Sequence, residues 1–219
     1  MIRVLLVDDE ALVRAGVRLV LQHADDIEVV AEAGDGARAV ELAVRERPDV
    51  VLLDVRMPGM DGLDALARLT ALEPPAAVVM LSTFGDEENV TRALRAGADG
   101  FLLKHSGPEE LINAVRAAAQ GDAVLSPGVT AHVVRAMRDE GRGNRTRAAD
   151  ERIAALTDRE REVLAMLGAG LANAEIARRL GVGTGTVKVH VGRILAKLGA
   201  ANRVQAAIIA HEAGLADRT

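Results

Sequence analysis

The sequence predicts a doubly wound parallel α/β domain followed by a small all-helical domain. In the first half of the 219 residues, five short apolar runs alternate with amphipathic helical patterns. Strands that alternate with helices form parallel sheets, because each parallel pair needs a crossover connection. From residue 152 onward only helical patterns occur. We therefore expect one domain over residues 1–122, a linker over 123–151 and a second domain over 152–219.

The predicted sheet has five strands, each a short apolar run followed by an amphipathic helix. Helices on both faces bury such strands, which fits the five-strand order 2-1-3-4-5 of doubly wound domains. The linker contains one helical stretch, about 129–137, and then a charged, aperiodic stretch at 139–147. The strands are predicted at 2–7, 27–33, 50–53, 77–81 and 100–103, and the helices at about 11–23, 37–47, 62–72, 87–96 and 109–120.

Composition excludes several classes of protein. The chain has no cysteine, which rules out disulfide scaffolds, thiolate metal sites and cysteine nucleophiles. Its apolar runs are far shorter than the roughly 18 residues of a membrane span, and Asp8 and Asp9 come before the apolar core of a signal peptide could form. We expect a cytoplasmic protein that does not bind membranes. With two Phe and neither Trp nor Tyr, a surface that stacks nucleic acid bases is disfavoured.

The net charge of −5 combines two halves of opposite sign. Residues 1–125 contain 22 acidic and 12 basic residues, a net −10, whereas residues 126–219 contain 10 acidic and 15 basic residues, a net +5. A basic domain attracts phosphate backbones, and an acidic domain suits a cation. Charge also differs between domains for no functional reason, so the asymmetry favours a nucleic acid partner without establishing one.

Three carboxylates are predicted to meet at one edge of the sheet. Asp8 and Asp9 follow the first strand, and Asp54 follows the third. These strands are neighbours where the strand order reverses, which is where open parallel sheets bind ligands. Close carboxylates repel one another unless a cation lies among them, and oxygen ligands suit a hard ion such as Mg²⁺. The pattern therefore predicts a magnesium site.

Further polar groups are predicted at the same edge. Ser82 and Thr83 follow the fourth strand, and Lys104 follows the fifth. A hydroxyl and an ammonium can hold phosphoryl oxygens, so the cluster indicates phosphoryl transfer with Asp54 as the nucleophile. Any single member could equally be a helix cap or a solvated loop end. The combination at the ends of four strands favours the functional interpretation.

The residues of this cluster lie in motifs that resemble the receiver domain of two-component response regulators. The resemblance covers residues 1 to about 122 and implies a flavodoxin-like fold. It also implies that Asp54 accepts a phosphoryl group from a sensor histidine kinase. The motifs are Val7-Asp8-Asp9-Glu10, Asp54-Val55-Arg56-Met57-Pro58-Gly59-Met60-Asp61-Gly62, Ser82-Thr83 and Phe101-Leu102-Leu103-Lys104.

The receiver resemblance assigns roles to individual residues. Phe101 stands at the aromatic switch position, where the ring moves inward together with Ser82. A contact of Ser82 that exists only with the phosphoryl group would let phosphorylation select one of two conformations. The resemblance implies Mg²⁺ ligands at Asp9, Asp54 and the backbone carbonyl of Arg56, with Asp8 helping, and phosphoryl-binding roles for Ser82 and Lys104.

An enzyme of another class shares part of this pattern. Phosphatases of the haloacid dehalogenase type also place an Asp nucleophile after a parallel strand, with a second Asp two residues on as acid and base. Here that residue is Arg56, which cannot transfer protons at neutral pH. We therefore expect no enzyme, apart from catalysis of the protein's own phosphoryl transfer and hydrolysis. We further hypothesise that Arg56 and Phe84 influence the lifetime of the acyl phosphate. His105, where receivers often have proline, leaves the role of Lys104 unchanged.

The basic half contains a predicted three-helix unit with a further helix after it. A capping box, Thr157-Asp158-Arg159-Glu160, opens the first helix, which ends at Gly168. The second covers about Asn173–Leu180, and the third Thr184–Leu198. The third helix turns Val187, Val191, Ile194 and Leu198 to the core and Val189, Gly192, Arg193 and Ala196 the opposite way, with Lys188 on the flank. An exposed valine beside cations suits a DNA major groove, although a docking domain for another protein would show a similar pattern.

These helices resemble the LuxR-type helix-turn-helix over about residues 154–215. The matching segments are Leu156 to Glu160, Asn173 to Ala177, Thr186 to His190 and Lys197-Leu198. With the receiver, the whole chain resembles a two-component response regulator of the NarL/FixJ type, a transcription factor that binds double-stranded DNA. The resemblance implies that Thr186 and Lys197 contact phosphates and that Lys188 and Val189 read bases, and the candidate DNA-binding residues are Thr184, Thr186, Lys188, Val189, Gly192, Arg193 and Lys197.

The resemblance also implies an assembly. The last helix, Asn202 to Ala213, would pair two copies on a two-fold site or on tandem half-sites about one helical turn apart. We expect phosphorylation to remodel the face formed by helices four and five and strand five, which releases the helix-turn-helix or forms a homodimer. Two alternatives stay open. One is a phosphorylation-controlled docking protein, and the other is a regulator that binds DNA unphosphorylated.

Two helix caps depart from the family pattern. Ala172 stands where the family usually has Ser or Thr, and Gly183 where it usually has Ser. The second and third helices therefore lack a capping hydroxyl unless Asn173 and Thr184 replace it. Gly192 adds a further cost, because glycine inside a helix is about 0.8–1 kcal/mol less favourable than alanine. We expect Gly192→Ala to stabilise the helical domain.

Overall fold

The computed structural model describes residues 1–83, 87–125 and 152–215. These residues divide into two units, a parallel α/β unit and an all-helical unit. Phe84, the predicted linker helix near 129–137 and the charged stretch at 139–147 lie outside the described residues. None of the helices that the structure describes has the length and apolar character that crossing a lipid bilayer requires.

The α/β unit alternates strands and helices as predicted. The strands in the middle of its sheet are buried on both faces, which explains why they are near-continuous apolar runs. The element bounds are β1 (Ile2–Val7), α1 (Ala11–Leu21), β2 (Ile27–Ala33), α2 (Gly36–Glu46), β3 (Val50–Asp54), α3 (Gly62–Leu69), β4 (Ala77–Ser82), α4 (Glu87–Arg95), β5 (Gly100–Leu103), α5 (Pro108–Ala119) and β6 (Val124–Leu125).

The sheet has six strands in the order β2-β1-β3-β4-β5-β6, all parallel. The predicted order of the first five strands is confirmed, but the prediction of five strands is one short. The additional strand, β6, pairs Val124 with Gly100 and Leu125 with Phe101. It lies in the segment that the sequence assigned to the linker, and two residues are too few to show a strand pattern.

Strand register brings the predicted polar residues to one edge of the sheet. Val7 pairs with Leu53, so the residues that follow them, Asp8 and Asp54, are neighbours at the strand ends. Asp54 pairs with Leu81, one residue before Ser82. Ser82 in turn pairs with Leu103, one residue before Lys104. Four adjacent strands therefore place their last polar residues side by side.

The helical unit contains α6 (Asp158–Gly168), α7 (Asn173–Leu180), α8 (Thr184–Leu198) and α9 (Arg203–Glu212). The predicted bounds of the first three are confirmed, and the last is shorter by one residue at each end. The predicted inner face of α8 is buried in a shared apolar core with residues of the other three helices. That core includes Val163, Leu164, Ile176, Val187, Val191, Ile194, Leu198, Ala206 and Ile209.

The N-termini of α6, α7 and α8 differ in whether a side chain caps them. Thr157 and Glu160 form the predicted capping box, in which each side chain bonds the other residue's backbone N–H. Ala172 and Gly183 are the N-caps of α7 and α8, and neither end has a side-chain cap. Asn173 and Thr184 therefore do not replace the missing hydroxyls, since they already lie inside their helices.

Candidate functional site

The carboxyl edge of the sheet forms an acidic pocket around one ammonium group. Lys104 Nζ lies 2.7 Å from Asp8 Oδ2, 3.0 Å from Asp54 Oδ2 and 3.7 Å from Glu10 Oε1. Asp8 and Asp54 are buried, and the Lys104 side chain is 11% exposed. The contact with Asp54 is a charge-assisted hydrogen bond, which is stronger than a neutral one. Carboxylates outnumber the cation, so the pocket keeps a negative charge.

The three acids that the sequence singled out are close together. Carboxylate oxygens of Asp8, Asp9 and Asp54 all lie within 4.8 Å of one another, and Asp9 is exposed to solvent. Oxygen donors at this spacing, with one side open to water, fit a hard divalent ion that retains several waters. The donor set thus agrees with the predicted metal site.

Burial and hydrogen bonding oppose each other at Asp54. Burial raises the pKa of the Asp54 carboxyl above its ordinary value, although bonds from Lys104 and the Arg56 backbone N–H act in the opposite direction. For Lys104, burial acts to lower the pKa, but hydrogen bonds to Asp8 and Asp54 outweigh it and the pKa is raised. The ammonium is therefore firmly charged, whereas the ionised carboxylate of Asp54 is only partly compensated.

Ser82 lines this pocket at the end of β4, and Phe101 lies on the neighbouring strand β5, three residues before Lys104. The Lys104 backbone N–H donates to the Ser82 carbonyl at 2.7 Å, which aligns the two strand ends. Ser82 is buried, and the Phe101 ring is completely buried. The cavity at the strand ends measures about 260 Å³, and its lining residues are Asp9, Glu10, Asp54, Arg56, Ser82, Thr83 and Lys104.

Gly62 lets the loop after β3 pack closely against the end of that strand. A Cβ at this position would lie 1.9 Å from the Asp54 carbonyl oxygen, a contact that no side chain tolerates. The Gly62 N–H also donates to the Val55 carbonyl at 3.0 Å. The loop that carries Arg56 therefore folds back closely over Asp54 because position 62 has no side chain.

The outer face of α8 presents the predicted DNA-contacting residues to solvent. Val189 is 53% exposed, which is unusual for an apolar side chain on a helix whose inner face is buried. The exposed residues of this surface are Thr184, Thr186, Lys188, Val189, Gly192, Arg193 and Lys197. We call them the α8 outer face.

Lys197 has a second environment that the sequence did not reveal. Its Nζ donates to Glu160 Oε2 at 2.6 Å, and the same carboxylate accepts from the Thr157 backbone N–H at 2.9 Å. The bond from Lys197 and the bond from Thr157 lower the pKa of Glu160 to about 2. The pair links the start of α6 to the end of α8. The prediction that Lys197 contacts a phosphate stays a prediction, now with a competing internal partner.

Comparison with known proteins agrees with both units. The receiver domain family of response regulators matches residues 4–116, and the luxR family of bacterial regulatory proteins matches residues 154–210. The nitrate/nitrite response regulator NarL of Escherichia coli K12 is 42% identical over 210 residues, which are 95% of this chain and 94% of NarL. YxjL of Bacillus subtilis, an uncharacterized transcriptional regulatory protein, is 42% identical over 214 residues, 98% of this chain and 97% of YxjL.

The chain is a response regulator of the NarL/FixJ type. Solved structures agree with this assignment. The response regulator ChrA of a heme-sensing two-component system matches with a TM-score of 0.53 and 36% identity over 98% of each chain. The receiver domain of a putative NarL from Mycobacterium tuberculosis matches with a TM-score of 0.53 and 44% identity, over 55% of this chain and 97% of that domain. This NarL/FixJ-type protein is thus a two-component transcriptional regulator with a receiver and a LuxR-type DNA-binding domain.

Proposed function

We propose that Asp54 of this regulator accepts a phosphoryl group from a sensor histidine kinase and that the phosphorylated form binds DNA as a homodimer. The main support is the position of Lys104, within 3.0 Å of both Asp8 and Asp54 in a pocket where carboxylates outnumber cations. Such a pocket is poorly balanced as a structural site. It is well suited to a reaction that brings in a metal ion and a phosphoryl group.

The chain's own residues divide the chemistry of transfer. An Asp54 carboxylate oxygen attacks phosphorus, the phosphorus–nitrogen bond of the phosphohistidine breaks, and its electron pair returns to the imidazole. Lys104, which bonds Asp54 at 3.0 Å, shifts to a phosphoryl oxygen, and the Ser82 hydroxyl donates to another. Water later attacks the same phosphorus, the bond from phosphorus to the Asp54 oxygen breaks with its electron pair returning to the carboxylate, and inorganic phosphate leaves. Arg56 also lines the pocket, and we propose that it flanks the path of this water.

Magnesium is the cofactor that this donor set suits. The carboxylates of Asp9 and Asp54 and the backbone carbonyl of Arg56 would hold it, with Asp8 nearby. When bound, Mg²⁺ neutralises the charge on the phosphoryl oxygens during transfer.

The contact of Ser82 with the phosphoryl group would couple the pocket to a conformational switch. Phe101 is completely buried and is the second residue of β5, the strand that also leads to Lys104. Movement of Ser82 and Lys104 toward a phosphoryl group would therefore displace the ends of β4 and β5, and β5 carries Phe101. We infer that phosphorylation stabilises one arrangement of β4, β5 and α4, which then permits dimerisation.

DNA recognition is assigned to the α8 outer face. Lys188 and Val189 would read base edges, and Thr184, Thr186 and Arg193 would approach the sugar–phosphate backbone, with Gly192 allowing close contact. A homodimer would place two such helices on a two-fold site or on tandem half-sites. Exposure of Val189 beside Lys188 supports this assignment over a merely solvated surface.

The phosphorylation proposal is tested by intact mass. Full-length wild type and Asp54→Asn are incubated with phosphoramidate, a small phosphodonor, with and without Mg²⁺. We expect one added phosphoryl group in the wild type only, and only with Mg²⁺. Equal labelling of Asp54→Asn, or labelling that ignores Mg²⁺, would contradict the assignment of Asp54 or of the metal.

The DNA proposal is tested by selection from random duplexes with phosphorylated protein. We expect enriched paired half-sites, a weaker preference at one base position for Val189→Ala, and a smaller salt dependence of binding for Lys188→Ala. Arg68→Gln, which removes an exposed charge from α3, is the matched control and should bind like the wild type. If phosphorylated protein enriches no sequence, the docking-protein alternative gains support.

A further inference from the structure

Arg14, in the first turn of α1, reaches the end of the neighbouring strand. Its Nη1 donates to the backbone carbonyl of Asp8 at 2.5 Å, and its Nε lies 3.5 Å from Glu32 Oε2 on β2. The side chain is 21% exposed. A Cβ on Gly34, just past β2, would lie 3.7 Å from Nη1. The guanidinium therefore lies between the ends of β1 and β2.

The carbonyl that Arg14 binds belongs to the peptide that joins Asp8 to Asp9. That peptide is planar, so fixing its oxygen also fixes the N–H and the Cα position of Asp9. The ladder between β1 and β2 ends at the pair Val7 and Ala33, and the Asp8 N–H still donates to the Ala33 carbonyl at 3.1 Å. After that bond, the next contact with the main chain comes from Arg14 on α1, which donates to the Asp8 carbonyl.

The same turn is held from within by a second bond. The Glu10 N–H donates to Asp8 Oδ1 at 2.9 Å, which sets the direction of the Asp8 carboxylate. Asp8 Oδ2 remains directed at Lys104. The side chain and the carbonyl of Asp8 are thus fixed by different partners, and only Arg14 acts on the link to Asp9 from outside the turn among the described contacts.

Glu32 lies close to both Arg14 and Arg18, which offers an internal control. It lies 3.5 Å from Arg14 and 3.3 Å from Arg18, one turn further along α1. Among the described contacts, the Arg18 side chain reaches Glu32 and not the turn at Asp8. The two arginines therefore carry the same charge and share one carboxylate, but differ in contact with the acidic pocket.

We propose that Arg14 is a positioning residue for metal binding: by holding the Asp8 carbonyl it sets the spacing of the Asp8 and Asp9 carboxylates. The proposal rests on the proposed function of the acidic pocket. For the removal of Arg14, the loss of its charge and the loss of its contact with the Asp8 carbonyl predict opposite changes in Mg²⁺ affinity. Removing a cation near an acidic pocket strengthens the binding of a divalent ion by electrostatics alone, whereas loss of positioning weakens it.

The test is the Mg²⁺ affinity of unphosphorylated full-length protein, measured by calorimetric titration. We expect Arg14→Gln to raise the Kd by about tenfold, in the range found for groups that orient metal ligands. Arg14→Lys, which keeps the charge and one donor, should recover part of the loss. Arg18→Gln, which removes the same charge without touching the turn, should not weaken binding.

Several outcomes would overturn the proposal. An Arg14→Gln protein that binds Mg²⁺ as tightly as Arg18→Gln, or more tightly than the wild type, would show that the contact does not position the ligands. Should Arg14→Gln fail to fold, as judged by its amide NMR spectrum, Arg14→Met replaces it, because this variant also removes the donor to the Asp8 carbonyl, and Mg²⁺ affinity equal to or tighter than that of the wild type would contradict the role. A wild type that does not bind Mg²⁺ would instead refute the metal site itself.

Discussion

Each of the two units pairs a lysine with a buried carboxylate, but the ratio of carboxylates to lysine differs between them. In the α/β unit, Lys104 faces Asp8, Asp54 and the more distant Glu10. In the helical unit, Lys197 faces one carboxylate, that of Glu160. The pKa of Asp54 is raised by burial, and the pKa of Glu160 is lowered to about 2 by Lys197 and Thr157. Excess anions mark a site that takes up a cation, and a matched pair marks a structural link.

The lysines themselves are informative because the chain uses so few of them. Lys104, Lys188 and Lys197 are the three lysines, against 24 arginines. An ammonium is a compact point charge, whereas guanidinium is a wide planar fork. Lys104 lies between two carboxylates, and in the proposed reaction it would exchange one of them for a phosphoryl oxygen, which suits a single mobile ammonium.

The largest expected effect separates the two lysines by reactivity. Lys104→Met should lower the rate of phosphorylation by phosphoramidate by about 10²- to 10³-fold, the usual cost of losing one group that stabilises transferred charge. Lys197→Met should leave that rate unchanged, since its partner lies in the helical unit. Rates are read from intact mass at timed intervals. Equal losses in both variants would remove the distinction between the two pairs.

The second effect concerns stability and has opposite signs in the two units. Glu160→Gln should lower the free energy of unfolding of the helical unit by about 1 kcal/mol, because the hydrogen bonds from Thr157 and Lys197 then end on a neutral amide oxygen and no longer on a carboxylate. Asp54→Asn should stabilise the α/β unit in the absence of Mg²⁺, because it removes a carboxylate whose ionisation burial opposes. Urea titrations followed through amide resonances of each unit measure both. Destabilisation in both variants would contradict the comparison.

The third effect is a difference in pH dependence. Glu160 has a pKa of about 2, below its ordinary 4.5. Its contribution to the free energy of unfolding is therefore complete above pH 4.5 and is lost as the pH falls toward 2. Burial raises the pKa of Asp99 to about 6 from 3.8. The protonated carboxyl therefore contributes to the free energy of unfolding below about pH 4, and this contribution is lost as the pH rises through 6.

The pH effect is checked by urea unfolding of each unit between pH 2 and 7. Glu160→Gln should reduce the fall in the free energy of unfolding of the helical unit at acid pH. Asp99→Asn, which keeps an acceptor for the Val78 N–H that Asp99 now binds at 2.9 Å, should flatten the decline of the α/β unit between pH 4 and 6. Unchanged profiles in either variant would contradict the corresponding titration.

The smallest effect tests how far the helical unit is from its best stability. Gly192→Ala should stabilise it by about 0.8–1 kcal/mol, since a Cβ there meets no heavy atom within 4 Å. The thermal midpoint would then rise by about 4–8 °C for a domain of this size. Weaker DNA binding in the same variant would agree with close backbone approach. A lowered midpoint would contradict the open environment of Gly192.

The sequence was informative wherever chemistry interrupts an apolar pattern. Asp8, Asp54, Ser82 and Lys104 stand at the ends of apolar strands, and parallel pairing alone brings strand ends together. The inner face of α8 was equally predictable, because Val187, Val191, Ile194 and Leu198 repeat with the helical period.

Other contacts leave no such signal. Glu160 is fully explained by its capping box, so nothing in the sequence points to Lys197, 37 residues away. Arg14 acts on a backbone carbonyl, which every residue possesses. The strand β6 is two residues long, below the length at which alternation can be recognised. Each of these features depends on tertiary placement and not on a repeated pattern.

The central claim is that the acidic pocket has an excess of anions that a divalent cation relieves, whereas the Glu160–Lys197 pair is already balanced. Urea unfolding of full-length protein with increasing Mg²⁺, followed unit by unit through amide resonances, tests this most directly. We expect Mg²⁺ to stabilise the α/β unit by mass action, to lose that effect in Asp54→Asn, and to leave the helical unit unchanged. Mg²⁺ that stabilises both units equally, or neither, would contradict the account.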